Sequence, residues 1–208
     1  MTLSQNIFFS FFFIILLFCL NNCKSPTVSE EQLHEFSFEN DLEMWNIRAL
    51  DVTQNLPDTI LTIPWHIVRS NLIATSGVYS LEFYFQNYTD AAKIWIERQL
   101  SVIPNKVYRI TLIYDFASAD GGIIGKQALV TRITPYRPQS REDIIVGALP
   151  EGTYNGGFFN YRWLRKEIQE DIQSNYLGQI FVLIGIWGTF EITSTYYIDN
   201  IRIQIVPR

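Results

Sequence analysis

The side chains best suited to chemistry in this sequence are aromatic rings set beside polar groups: there are five tryptophans and eleven tyrosines in 208 residues. In an alternating strand pattern Trp95 shares a face with Glu97 and Gln99, and Trp187 ends an apolar run beside Gly188. A ring face next to hydrogen-bonding groups suits the C–H side of a pyranose, whose hydroxyls the polar neighbours then bond. Arg109 and Asp115 fall on the strand face opposite Tyr108 and add two more groups able to bond a ligand, and Trp65-His66 after Pro64 offers a rim position. For each of these, ordinary packing in a core is the competing reading. Catalysis has less to draw on. Glu97, Glu167, Glu170 and Asp171 supply carboxylates, but glycoside hydrolysis needs two held at a set separation, which a linear pattern does not establish. There is no G-x-S-x-G elbow or phosphate-binding loop. His34 and His66 lack the spacing of a zinc site.

These residues all follow a leader. The first 22 residues carry no charged side chain, and Ile7 to Leu20 is an apolar run. It is shorter than the roughly 20 residues that span a bilayer core and fits the apolar region of a signal peptide. Hydrophobicity collapses at Leu20-Asn21-Asn22-Cys23, before Lys24-Ser25-Pro26-Thr27. This boundary resembles a bacterial lipoprotein signal, which implies that Cys23 is acylated and anchors the chain to a membrane of the cell envelope. It departs from the pattern in having no Lys or Arg ahead of the apolar run and two asparagines before the cysteine. A plain secretory signal, or an uncleaved anchor helix, is the alternative.

Residues 23–35 read as a polar tether and 36–208 as one domain, long enough to bury a substantial core. The net charge of −5 is spread along the chain without a basic patch, which argues against nucleic acid as a partner. With Cys19 in the leader and Cys23 acylated, no cysteine remains for a disulfide or a thiolate zinc site.

The elements that must position the candidate residues read as strands. Tyr108, Ile110, Leu112 and Tyr114 alternate with Arg109, Thr111 and Ile113, and Ile201, Ile203 and Ile205 alternate with Arg202 and Gln204. Ile180 to Trp187 is apolar on both sides, as in a central strand covered on both faces. Turn signals lie at Asn105-Lys106, Asp120-Gly121-Gly122, Asn155-Gly156-Gly157 and Leu177-Gly178. Tyr161 to Ser174 is ambiguous, because Leu164, Ile168 and Ile172 also have helical spacing.

Three motifs occur in order along the domain: Phe36-Ser-Phe-Glu-Asn-Asp41 followed by Trp45, then Ser76-Gly-Val-Tyr-Ser-Leu81, then Tyr196-Tyr-Ile-Asp-Asn-Ile-Arg-Ile203. Together they resemble carbohydrate-binding modules of the galactose-binding-like jelly-roll type, notably the CenC-type group. The resemblance implies an all-β fold, a two-sheet antiparallel β-sandwich, and it resolves Tyr161 to Ser174 as strand. It places Trp45 in the core and leaves Pro135 to Asn160 as an insert without counterpart. It implies a structural calcium at Glu39 and Asp199, against the simpler reading that both carboxylates bond nearby backbone N–H groups. It also implies a non-catalytic module whose partner is a glycan or glycoconjugate, with Trp95, Trp187, Arg109 and Asp115 as ligand contacts. A structural or protein-binding domain without a sugar site is the second reading, and a small envelope hydrolase the third.

Overall fold

Period-two alternation makes sheet, and in the computed structural model it makes two. Residues 31–118, 127–145, 149–151, 161–189, 191 and 193–208 are described, and residues 31–208 belong to one compact unit. In chain order the strands are β1 (Gln32–Phe36), β2 (Asn46–Leu50), β3 (Thr53–Leu56), β4 (Thr59–Thr62), β5 (Trp65–Ser70), β6 (Ser80–Gln86), β7 (Lys93–Ser101), β8 (Val107–Ser118), β9 (Gln127–Thr134), β10 (Leu149–Glu151), β11 (Arg162–Gln173), β12 (Gln179–Gly188) and β13 (Thr193–Pro207). A short helix, α1 (Arg141–Ile145), lies between β9 and β10. One sheet runs β11-β8-β13-β6-β5, with β1 also on β13; the other runs β10-β9-β12-β7-β2. β3 and β4 form a separate hairpin, and every pairing is antiparallel. The protein is a two-sheet β-sandwich of the jelly-roll class.

The interior is built from the inward rows that alternation selects. Tyr108, Ile110, Leu112 and Tyr114 of β8 and Ile201, Ile203 and Ile205 of β13 meet Ile94 and Ile96 of β7 and Ile180, Val182, Ile184 and Ile186 of β12. None of these is more than 2 % exposed, and each such side chain adds about 1.5–3 kcal/mol of apolar burial. Two tyrosine hydroxyls bond within this interior: Tyr114 Oη lies 2.5 Å from Thr131 Oγ1, and Tyr108 Oη accepts from Ile103 N–H at 3.0 Å. Trp45 is core, edge-on to Phe36 at 5.4 Å between centroids.

β12 lies centrally between β7 and β9. Its outward residues Phe181 and Leu183 are also buried, in a second cluster outside the sandwich interior. β11 pairs with β8 along its whole length. A four-residue spacing fits a two-residue period as well as a helical one, so Ile168 and Ile172 share the inward side of a strand and pack on the core.

β13 changes neighbours midway. Thr193 to Ile198 pairs with β6, and Ile201 to Ile205 pairs with β1, while β8 runs beside both halves. The change falls at a bulge between Asp199 and Arg202, where Asn200 is left-handed at φ 51°. The pairing with β1 begins at Gln32, inside the segment read as tether, so the sandwich starts earlier than its apolar pattern suggests. Half-buried Gln32 and exposed Glu35 ride on an edge ladder whose backbone bonds do not need apolar side chains. The turns at Asn105 (φ 56°) and Gly178 (φ 70°) are formed. The leader, Cys23, the tether up to residue 30, and the glycine turns at 120–122 and 155–157 lie outside the described residues. Of the insert, 135–145 crosses the outer face of the five-stranded sheet and 149–151 is β10; its remainder is likewise outside.

Left-handed backbone costs a β-branched residue about 1–2 kcal/mol more than it costs glycine. Urea unfolding of Asn200→Gly is expected to show a loss of about 1 kcal/mol or less, from the side-chain bond to Asp115, and Asn200→Val to lose about 1–2 kcal/mol more from the left-handed backbone.

Candidate functional site

The three motifs meet at one seam. The Asp199 carboxylate is fully buried. Its Oδ2 accepts from Thr75 N–H at 2.8 Å, Thr75 Oγ1–H at 3.0 Å and Ser76 N–H at 3.0 Å, and its Oδ1 accepts from Asn200 N–H at 2.7 Å. Glu39 Oε1 accepts from Val78 and Tyr79 N–H, both at 3.0 Å. The two carboxylates therefore hold the two ends of a single turn, residues 75–79. Gly77, at φ 66°, leaves room for the Glu39 carboxylate where a Cβ would collide with it. Burial pushes the Asp199 carboxyl above the ordinary aspartate range, while the N–H groups of Ser76, Thr75 and Asn200 pull the other way.

This seam does not fit a calcium ion. Calcium takes several oxygen ligands, backbone carbonyls among them. Here the carbonyls of Phe38 and Glu39 accept from Arg69 Nε and Nη2, each at 2.6 Å, and the guanidinium rests 4.0 Å from the Tyr79 ring centroid. Phe38 itself is left-handed, at φ 60°. A cation brought to those carbonyls would meet the charge of Arg69, and Asp199 already serves four donors. The simpler reading of Glu39 and Asp199 is the observed one.

The four expected ligand contacts do not converge, because they lie on different sheets. Arg109 is on the outer face of the six-stranded sheet, in a two-bond pair with Asp171 at 2.8 and 2.9 Å. Asp115 belongs to the seam: its Oδ2 accepts from Asn200 Nδ2–H at 3.1 Å and lies 3.0 Å from Thr75 Oγ1, whose single proton it shares with Asp199 Oδ2. Alternation along β8 puts Asp115 on the same outer side as Arg109, and register pairs it with Asp199, where β13 begins its bulge.

Trp95 and Trp187 lie on the outer face of the five-stranded sheet, and that face is covered. Trp95 packs with Val130, Phe181 and Leu183 beneath Ile144 of α1, and Trp187 and Leu50 border the cluster. Trp95 is only 5 % exposed, so it is not an open platform. It is seated over Gly185, where any Cβ would strike its Cα and Cβ. Trp187 is half-buried, and its Nε1–H donates to Asp90 O at 2.8 Å.

Charged groups are buried in the same face. Lys93 is 0 % and Glu97 1 % exposed. Lys93 Nζ donates to Asp51 Oδ2 at 2.6 Å and to the carbonyl of Ala91, and burial holds its ammonium below the ordinary lysine range despite Asp51. Glu97 Oε1 accepts from Arg137 Nε at 2.7 Å, and Arg137 also lies 5.3 Å from the Phe181 ring centroid. Glu97 Oε2 and Trp95 Nε1–H are buried without a hydrogen-bond partner among the described residues. Phe181 had a signal in sequence, the double-sided apolar run of β12. Arg137, Arg141 and Ile144 had none, since they fall in the insert.

No family model matches the chain, and no curated protein matches it in sequence. The CenC-type resemblance rests on its motifs. Among solved structures, the K1 cleaved adhesin domain of Lys-gingipain from Porphyromonas gingivalis W83 aligns over 85 % of this chain and 99 % of its own, at 9 % identity and TM-score 0.50. The xylan-binding domain from CBM 22 aligns over 83 % and 93 % at 19 % identity and TM-score 0.47. A mannan-recognising module, TmCBM27, aligns over 84 % and 97 % at 13 % identity and TM-score 0.45. The likeness to the adhesin domain is one of fold.

An arginine seam and a metal seam respond differently to calcium. Thermal unfolding is expected to keep its midpoint in millimolar calcium and in chelator, whereas Arg69→Met, which leaves two carbonyls without their donor, lowers the midpoint by several degrees, or roughly 1–3 kcal/mol.

Proposed function

We propose that this chain is a non-catalytic glycan-binding domain of the cell envelope, anchored by a lipid on Cys23, that takes its ligand on the outer face of the five-stranded sheet. One observation carries the reading. The outer face of an antiparallel sheet is ordinarily polar and solvated. This one instead gathers Trp95, Phe181 and Trp187 around Glu97 and Lys93, with Glu97 Oε2 and Trp95 Nε1 unpartnered. Aromatic faces for sugar C–H groups and buried polar atoms for hydroxyls are what a sugar site requires.

A second reading has its own support. Asn175 Nδ2 donates to Pro135 O at 2.8 Å, joining two loops that expose Tyr136 (62 %), Tyr176 (70 %) and Leu177 (58 %). Such an aromatic, apolar loop end suits a protein partner, and a domain using it needs no sugar site.

A glycan array that includes xylan and mannan, probed with the soluble chain beginning at Lys24, separates the two. Binding that drops at least about tenfold in Glu97→Gln and Trp187→Ala, equivalent to about 1.4 kcal/mol, is the expected result. Binding untouched by both variants removes the site from this face, and no binding at all favours the loop end. The anchor is checked separately: Cys23→Ser is expected to abolish incorporation of a labelled fatty acid and to release the protein from the membrane fraction.

A further inference from the structure

Residues 135–145 lie where a ligand of the five-stranded face would have to lie. Ile144, 1 % exposed, is packed among Trp95, Val130, Phe181 and Leu183. Arg137 reaches Glu97, and the Arg141 guanidinium carbon lies 5.9 Å from the Trp187 ring centroid. The segment contacts the aromatic residues with an aliphatic side chain and the carboxylate with a hydrogen-bond donor, the positions that a sugar's C–H groups and hydroxyls would take.

Its fit is incomplete. Glu97 is sealed from water, yet Arg137 bonds only Oε1, and among the described residues neither Oε2 nor the indole N–H of Trp95, two residues away on the same strand face, has a partner. A buried carboxylate with one oxygen unbonded, on the same strand face as an unused donor, is uncommon in a structure that satisfies most of its buried polar atoms. Two adjacent hydroxyls would complete it, one donating to each oxygen, with a sugar oxygen accepting from Trp95 Nε1–H. Arg137 is 40 % exposed, so its guanidinium can leave Glu97 for water.

We infer that the 135–145 segment is a built-in competitor on the ligand face, and that the ligand is a sugar with vicinal hydroxyls which displaces it by exchanging its diol for Arg137 on Glu97. This rests on the glycan reading of that face. Its consequence is that apparent affinity is lowered by the fraction of molecules in which the segment is seated. Two signals distinguish it from a cover that is only structural: loosening the segment tightens binding, and destroying the diol abolishes it.

The test uses the full mature chain with xylan and mannan, each before and after periodate oxidation, which cleaves vicinal diols. The parent is compared with Arg137→Ala and Ile144→Ala, and acrylamide quenching of tryptophan fluorescence reports whether the segment has lifted. Because Arg137→Ala leaves the buried Glu97 without its partner, Arg141→Ala, which frees the segment from the Trp187 ring and keeps Arg137 on Glu97, is compared as well and keeps the test available if either of the other two fails to fold. The expected result is increased quenching in the variants that fold, binding to an intact glycan tightened by roughly tenfold, and no binding to the oxidised glycan. Increased quenching with unchanged or weaker binding overturns the competitor while leaving the glycan site in place. Retained binding to oxidised glycan overturns the diol. No binding by parent or variants overturns the glycan reading and this inference with it.

Discussion

The turn at residues 75–79, held at one end by Asp199 and at the other by Glu39, is the constraint on which the closure of the sandwich depends. Every donor it offers to these carboxylates, apart from the Thr75 hydroxyl, is a backbone N–H. The arrangement thus fixes where three distant stretches of chain meet. Charge-assisted bonds of this kind are stronger than neutral ones, and four of them converge on a fully buried Asp199. The bulge that aims Asp199 at the turn is also the point at which β13 leaves β6 and takes up β1. Arg69 completes the joint from the other side by drawing in the carbonyls of Phe38 and Glu39. First strand, last strand and the turn between β5 and β6 are thereby locked together by the chain's own donors.

With the seam closed, the two sheets differ in what they show outside. The six-stranded sheet is dressed in paired charges and amides: Arg109 with Asp171, Gln169 with Thr111, Gln204 with Glu31. Its most concentrated cluster is self-contained. Glu82 accepts from Tyr197 Oη–H at 3.1 Å and meets His66 Nε2 at 3.1 Å, and His66 stacks on Tyr84. Burial first, then Tyr161 and Glu82, keeps the Tyr197 hydroxyl well above the ordinary tyrosine range, so it stays a donor. Both oxygens of Glu82 are taken up within the cluster.

Alternation made the strands and the interior legible, because a row such as Ile201, Ile203 and Ile205 has only one way to bury itself against a partner sheet. The central position of β12 was legible for a related reason: an apolar run on both faces demands cover on both. The site was less so. Periodicity assigns Arg109 and Trp95 each to a face of its own strand, but it does not say which sheet that strand joins, and the two ended on opposite sides of the molecule. Arg137 and Ile144 lie in a stretch with no period, so their contacts with Glu97 and Trp95 depend on long-range placement alone. The calcium expectation drew on carboxylates in the right motifs. What it could not contain is Arg69, a side chain thirty residues away from Phe38 and Glu39 in sequence that supplies the positive charge at the carbonyls.

The asymmetry between the two outer faces bears on function independently of any likeness to other proteins. Solvating an outer face needs only polar residues, and the six-stranded sheet shows that this chain has them to spend there. On the five-stranded sheet it places Phe181, Leu183 and Trp95 instead, which must then be covered, and it buries Lys93 and Glu97 among them. Burying charges in that way is unfavourable unless they are well paired, and Glu97 is paired through one oxygen only. Replacing a buried ion pair such as Glu97–Arg137 as a whole by apolar side chains of similar size is often neutral or stabilising. Keeping a carboxylate there costs stability that covering an apolar face does not require, and this is the observation behind the ligand site proposed for it.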